Sequence, residues 1–157
     1  MNTFEVRSGA RPAGAPPHAC PTPRAPDYHA LGTFSETWAF LEYFIDRCLQ
    51  AGGGETASDR PLSLAARLDA LERLDLGSQG GEAAALISDA RALADRRQNA
   101  LQDLARASLH RMGLGQFDID GALPHDGDKA LEALHMRTCD LVRRTVMLLC
   151  ALQKTGR

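Results

Sequence analysis

The chain has 157 residues, 44% hydrophobic and 24% charged, and its 18 Lys and Arg against 20 Asp and Glu give a net charge of −2. That length suggests one domain, that hydrophobic share excludes disorder of the whole chain, and that charge argues against a general electrostatic grip on nucleic acid. No apolar run reaches the ~20 residues a membrane span needs. The stretch from Met1 to Ala19 is broken by Arg7, Arg11 and several prolines, so it lacks the apolar core of a secretory signal. Cys20, Cys48, Cys139 and Cys150 form no C-x-x-C pair. Neither a disulfide framework nor a zinc site is expected, and a reducing cytoplasm is the expected location.

Residues 1–27 are rich in Pro, Ala, Gly and Arg, with Pro16-Pro17 followed by Pro21, Pro23 and Pro26. Proline removes backbone donors and blocks helix, and little apolar mass is available to bury, so a disordered tail is expected ahead of a helical domain at 28–157. A first helix is predicted from about His29 to Gln50. Leu31, Phe34, Trp38, Leu41, Ile45 and Cys48 step by threes and fours, which stacks them on one face, and Phe40 and Phe44 widen it. Five of the chain's eight aromatic residues lie between Phe34 and Phe44. Trp38 is the expected core anchor.

Gly52-Gly53-Gly54 ends that helix. A short second helix follows, with Pro61 in its first turn, Ser58 or Asp59 as cap, and Leu64, Leu68, Leu71 and Leu74 as its stripe. Asp69 and Arg73 have the spacing to pair across one turn, worth ~0.3 kcal/mol. Gly77 to Gly81 breaks the chain again. A third helix of ~30 residues is predicted from about Glu82 to Met112, long enough to bend or split. Between Gly113 and Asp128 lies a connection in which Phe117-Asp118-Ile119-Asp120 alternates like a short extended piece. A final helix, capped by Asp126 or Asp128, reaches about Gln153. Its buried row is Leu131, Leu134, Thr138, Leu141, Thr145, Leu148 and Leu152, with Val142, Val146 and Leu149 beside it. Four amphipathic helices with short connections predict an all-α antiparallel bundle.

The third helix carries the one anomaly. Its stripe reads Leu86, Ala90, Leu93, Arg97, Leu101, Leu104. A guanidinium in an apolar row needs a partner or a route to water. Glu42, at the edge of the first helix's apolar face, is the expected partner. Glu42 and Asp46 repel each other across one turn, and a nearby arginine relieves both. This Arg97–Glu42 pair is read first as a structural contact that fixes register, and second as the polar side of a cleft.

Trp38-x-x-Leu41-Glu42, Pro61-Leu62-Ser63-Leu64 opening a short helix, and Arg96-Arg97-Gln98-Asn99-Ala100-Leu101 on a long helix together resemble the HEPN-type helical domains of bacterial defence and toxin systems. The resemblance covers about Leu31 to Leu104. It implies a long helix with an R-x-x-x-x-H motif, often with Asn after the Arg, whose Arg and His cleave RNA without metal at a homodimer interface. Here the motif is broken. Counting from Arg97 puts Gln102 at the His position. Aligning on Asn99 puts Gln98 at the Arg position and Asp103 at the His position. Gln cannot exchange a proton near neutral pH and an ordinary Asp is ionised there. His110 lies more than two turns beyond Gln102.

Other constellations are weaker. His110, Asp118, Asp120, His125, Asp126 and Asp128 crowd the third connection, but Lys129 stands where a calcium loop needs a bidentate Glu, so no metal is expected. No G-x-S-x-G and no phosphate loop is present, and no cofactor is expected. Arg137, Arg143, Arg144, Lys154 and Arg157 outnumber Asp140 in the last helix and beyond. An Asp140–Arg144 pair and the helix dipole account for most of that cluster, leaving a weak case for RNA or an acidic partner. Leu109 and Ala105, off the main stripe, are the expected dimer contacts.

The expectation is a non-catalytic helical interaction or regulatory protein, similar to a degenerate HEPN module, working as a homodimer or against a protein partner and not in a membrane. Glu42, Arg97 and Asn99 form its polar site or structural pair. Two other classes stand beside it: a metal-independent ribonuclease drawing on His110 or His135, and an antitoxin or immunity protein that caps a partner.

Overall fold

The computed structural model describes residues 27–54, 62–113 and 127–155. The Pro-rich stretch, Ser58, Asp59, Pro61 and the Phe117–Asp120 segment lie outside these residues. Helix α1 spans Tyr28–Ala51, α2 Leu64–Glu72, α3 Gly80–Arg111 and α4 Gly127–Thr155, with a single 3₁₀ turn at Gly77–Gln79 before α3. No strand occurs among the described residues, so the fold is all-α.

Each boundary has a local cause. Asp27 caps α1, its Oδ1 accepting from the backbone N–H of His29 at 2.9 Å and of Ala30 at 3.1 Å. At the other end Gly53 takes φ +80°, which lets the Gly54 N–H reach the Leu49 carbonyl at 2.8 Å. A Cβ at Gly52 would lie 2.8 Å from Leu74 Cδ1, so glycine there lets the end of α2 close on the end of α1. Helix α2 starts later than the proline suggests. Ser63 caps it, accepting from the Ala66 N–H at 3.2 Å. Helix α3 is continuous over 32 residues; no Gly or Pro interrupts it after Gly81.

The helix stripes meet in one core. Phe34, Trp38, Leu41, Ile45, Cys48 and Leu49 of α1 pack with Leu68 and Leu71, with Leu86, Ile87, Ala90 and Leu93, and with the predicted row of α4. Leu31 is half-buried, and Phe40 turns outward. Thr138 and Thr145 are wholly buried in the α4 row because each hydroxyl donates to the carbonyl four residues back, of Leu134 and Leu141. In α3 the stripe loosens after Leu93: Arg97, Leu101 and Leu104 are only half-buried.

The contacts also fix direction. Arg144 reaches Glu82 and Asp89, so the late part of α4 lies against the early part of α3 and those two helices are antiparallel. The Cys48 Sγ–H donates to the Thr145 carbonyl at 3.5 Å, late residue to late residue, and α1 and α4 form the most extensive helix pair. They run side by side in the same direction. The α2 arginine Arg67 meets Glu42 and Asp46, while Leu74 just beyond α2 meets Gly52, so α2 also follows α1. Only α3 runs against its neighbours. The antiparallel order expected of short connections therefore holds between α3 and the others, not around the whole bundle.

Three arginines clamp the helices, each straddling two acids of the helix before it. Arg67 bridges Glu42 and Asp46 of α1, Arg91 bridges Asp69 and Glu72 of α2, and Arg144 bridges Glu82 and Asp89 of α3. Hydrogen bonding and charge from Arg91 hold the Glu72 carboxyl below its ordinary range. These bridges replace both within-helix pairs read from spacing. The Asp69 carboxylate goes to Arg91, leaving Arg73 only the Asp69 backbone carbonyl. Asp140 pairs with Arg143 instead of Arg144. A cross-helix arginine can take two carboxylates at once, which a neighbour one turn away cannot offer.

Candidate functional site around Trp38

Trp38 lies at one end of a polar relay that joins α1 to α2, with Arg97 of α3 over its ring. It is buried on α1, tilted 55° to Phe34 with ring centroids 6.2 Å apart. Its indole N–H donates to Glu42 Oε1 at 2.8 Å, one turn along the same helix. The other carboxylate oxygen, Glu42 Oε2, accepts from Arg67 Nη1 at 3.1 Å, and Arg67 Nε donates to Asp46 Oδ1 at 3.1 Å. The Arg67 side chain is only 12% exposed, whereas both acids keep about a third of their surface in water. One guanidinium thus neutralises two acids that would otherwise repel across one turn.

Arg97 does not complete this relay. Its guanidinium carbon lies 4.8 Å from the centroid of the Trp38 ring, over the face. The expected Arg97–Glu42 pair is replaced by an Arg67–Glu42 pair and an Arg97–Trp38 cation–π contact. The reason is positional. A residue in the apolar row of α3 faces the core, where α1 offers the ring, while the Glu42 edge of α1 faces α2. The contact carries a cost, because Arg97 Nε is buried without a hydrogen-bond partner. Asn99, read as part of the same site, is exposed and joins none of these contacts. Gln98 and Gln102 are exposed as well, and Asp103 pairs with Arg106 on its own helix.

A groove runs between α3 and α4. Two adjoining cavities, about 350 and 310 Å³, share Arg96 and Arg137 on opposite walls, and Ala92, Ala100, Ala130 and Ala133 leave the space between them. The walls also carry Asp89, Asp103 and Asp140, each paired with an arginine (Arg144, Arg106 and Arg143), while among the described residues neither Arg96 nor Arg137 engages an acid. Of the basic cluster read from the sequence, Arg137 lines this groove, Arg143 and Arg144 are paired, Lys154 is exposed in the last turn of α4, and Arg157 lies outside the described residues.

The remaining candidate groups are accounted for. Cys48 is wholly buried in the core, and burial, with Cys150 nearby as a second cause, pushes its thiol up from the ordinary 9.0 to about 12. His135 Nε2 lies 3.6 Å from Cys139 Sγ, one turn along α4, and its Nδ1 is buried without a partner. No group of three metal-ligating side chains occurs among the described residues, and no side chain of the His110–Asp128 cluster is among them. No described helix is long and apolar enough to cross a membrane. Sequence reasoning missed Arg67. Its signal was available, since the Glu42–Asp46 pair called for an arginine, but nothing in the spacing chose among the arginines of α2 and α3.

Comparison with family models, with curated proteins and with solved structures matches none of them.

Proposed function

We propose that this chain is a non-catalytic helical interaction protein, resembling a HEPN module without its acid–base pair, and that the outer face of α1 and α4 is its working surface. The observation that carries the reading is the apolar mass left in water on that face. Phe40 is 49% exposed, Tyr43 56%, Met136 64% and Met147 66%. Large apolar groups left in water on these two helices mark them for association. Phe and Tyr suit such a surface because they contribute much contact area for little lost rotamer freedom, and Met adapts to irregular partners. The Trp38 relay supports the same reading from inside. Arg97, the residue that a nuclease would need facing substrate, is spent on an indole ring, and Glu42 is held by two donors.

Incubating the full chain with total RNA in EDTA tests the reading against its enzymatic rival. Intact RNA at high protein excess is expected. Cleavage that disappears in Arg97→Ala would overturn the proposal and make the protein a metal-independent ribonuclease.

A further inference from the structure

We propose that the groove between α3 and α4 binds a small phosphate monoester, with its phosphoryl group held between Arg96 and Arg137. This site is separate from the outer face of α1 and α4 and does not depend on the reading of that face. The local sequence leaves these two arginines bare. One turn away along their own helices stand Ala92 and Ala100 for Arg96, and Ala133 and Leu141 for Arg137. Asp140, three residues beyond Arg137, is held by Arg143 at 2.9 Å. The other two acids of the groove, Asp89 and Asp103, each lie seven residues from Arg96, about 10 Å along the helix in opposite directions. Asp103 is paired with Arg106, and Asp89 shares Arg144 with Glu82. That last trio carries one surplus negative charge at one end of the groove. Arg96 and Arg137 carry two positive charges at its middle, so the groove is left positive where it is widest open to an anion.

Among the described residues Arg96 and Arg137 alone line both cavities, so they face each other across the waist where the two join. Two guanidinia across one space repel, and an anion between them turns that repulsion into attraction. Charge selects the anion. A carboxylate or a phosphodiester brings one negative charge to two positive ones. A phosphate monoester carries nearly two at neutral pH, and its three terminal oxygens serve a forked contact from each arginine. The alanines select the rest of the molecule. Ala100, Ala130 and Ala133 leave a hollow of about 310 Å³ against Leu134 on one side of the waist, a volume of the size that small-molecule sites have. The carbon body of the ester lies there while its phosphoryl group stays at the waist. Both arginines are exposed, so the anion reaches them directly from water.

Phenyl phosphate titrated into the full chain, with binding read by calorimetry at low salt, tests the proposal. One-to-one saturable binding is expected. Inorganic phosphate is expected to bind at least about tenfold more weakly, because it leaves the hollow empty. Arg96→Gln and Arg137→Gln are each expected to weaken phenyl phosphate at least about tenfold. Both positions are exposed and glutamine is a good helix former, so helix content by circular dichroism stays unchanged. Arg47→Gln, exposed on α1, is expected to bind as the wild type does. Ala133→Leu fills the hollow and is expected to bring phenyl phosphate down to the affinity of inorganic phosphate while leaving inorganic phosphate unchanged, a split that general damage to the fold would not produce. Binding is expected to weaken as pH falls below about 6, where the phosphoryl group takes up its second proton. Absence of binding overturns the proposal. So does binding that survives both arginine substitutions, which is then adventitious, or phenyl phosphate held no tighter than inorganic phosphate. A short RNA bound in preference to phenyl phosphate through the same two arginines also overturns it and makes the groove a track for phosphodiesters.

Discussion

The contact between α1 and α4 and the contacts made by α2 are held by different physics. The α1–α4 seam is long and apolar. Leu41, Ile45 and Cys48 meet the Leu134–Leu148 row, its two buried threonines satisfy their own helix, and no ion pair crosses between the described residues of these helices. Helix α2 has nine residues and buries only Leu68 and Leu71. Two leucines cannot fix the angle and register of a helix by packing alone. Charge supplies the rest: Arg67 ties α2 to α1 and Arg91 ties it to α3, each through two carboxylates. Where apolar area is large, shape sets register. Where it is small, bridging arginines do, at some cost in desolvation.

The largest effect should come from the centre of the apolar region. Trp38→Ala removes a buried indole, the hydrogen-bond donor to Glu42 and the surface under Arg97 in one change. We expect a loss of about 3–5 kcal/mol in urea unfolding, most of a small domain's stability. A loss below about 1 kcal/mol would mean that the core does not depend on its aromatic anchor.

Apolar order is the legible part of this chain. A buried stripe depends only on local spacing, so the seven α4 residues from Leu131 to Leu152 follow from the sequence alone, as do Trp38 and the glycine stop after α1. Direction is not legible. Short connections imply reversal at each turn, yet α2 follows α1, because nothing in the composition between Gly54 and Leu62 records which way the chain leaves it. Nor is the partner of Glu42. Arg67, Arg91, Arg96 and Arg97 are chemically alike, and only the packed helices decide which guanidinium reaches which carboxylate. Arg97 stands out because it interrupts an apolar row, and that same position sends it to the π face of an indole. Arg67 is inconspicuous on a helix whose leucines are its evident feature.

The charged region should respond less. Arg67→Met leaves Glu42 and Asp46 one turn apart with their shared cation gone and α2 without its tie to α1. A cost of about 1–3 kcal/mol is expected, kept from being larger by the partial exposure of both carboxylates. Salt should narrow the gap between variant and wild type, because the repulsion left behind is screened. The Trp38→Ala deficit should barely change with salt. That contrast separates the two regions in one set of unfolding curves.

Arg97→Met should have the smallest effect, and its sign is informative. The substitution gives up the cation–π contact with Trp38, worth roughly 0.5–2 kcal/mol. It also frees the chain from burying a guanidinium nitrogen that has no partner, and it sets a thioether, which packs well on aromatic rings, in the same place. These terms oppose each other, so stability should shift by less than about 1 kcal/mol in either direction. If Arg97→Met instead cost as much as Arg67→Met, the arginine of the apolar row would be as structural as the one in the relay. It would then belong with the three bridging arginines, and the division between shape-held and charge-held regions would fail at its boundary.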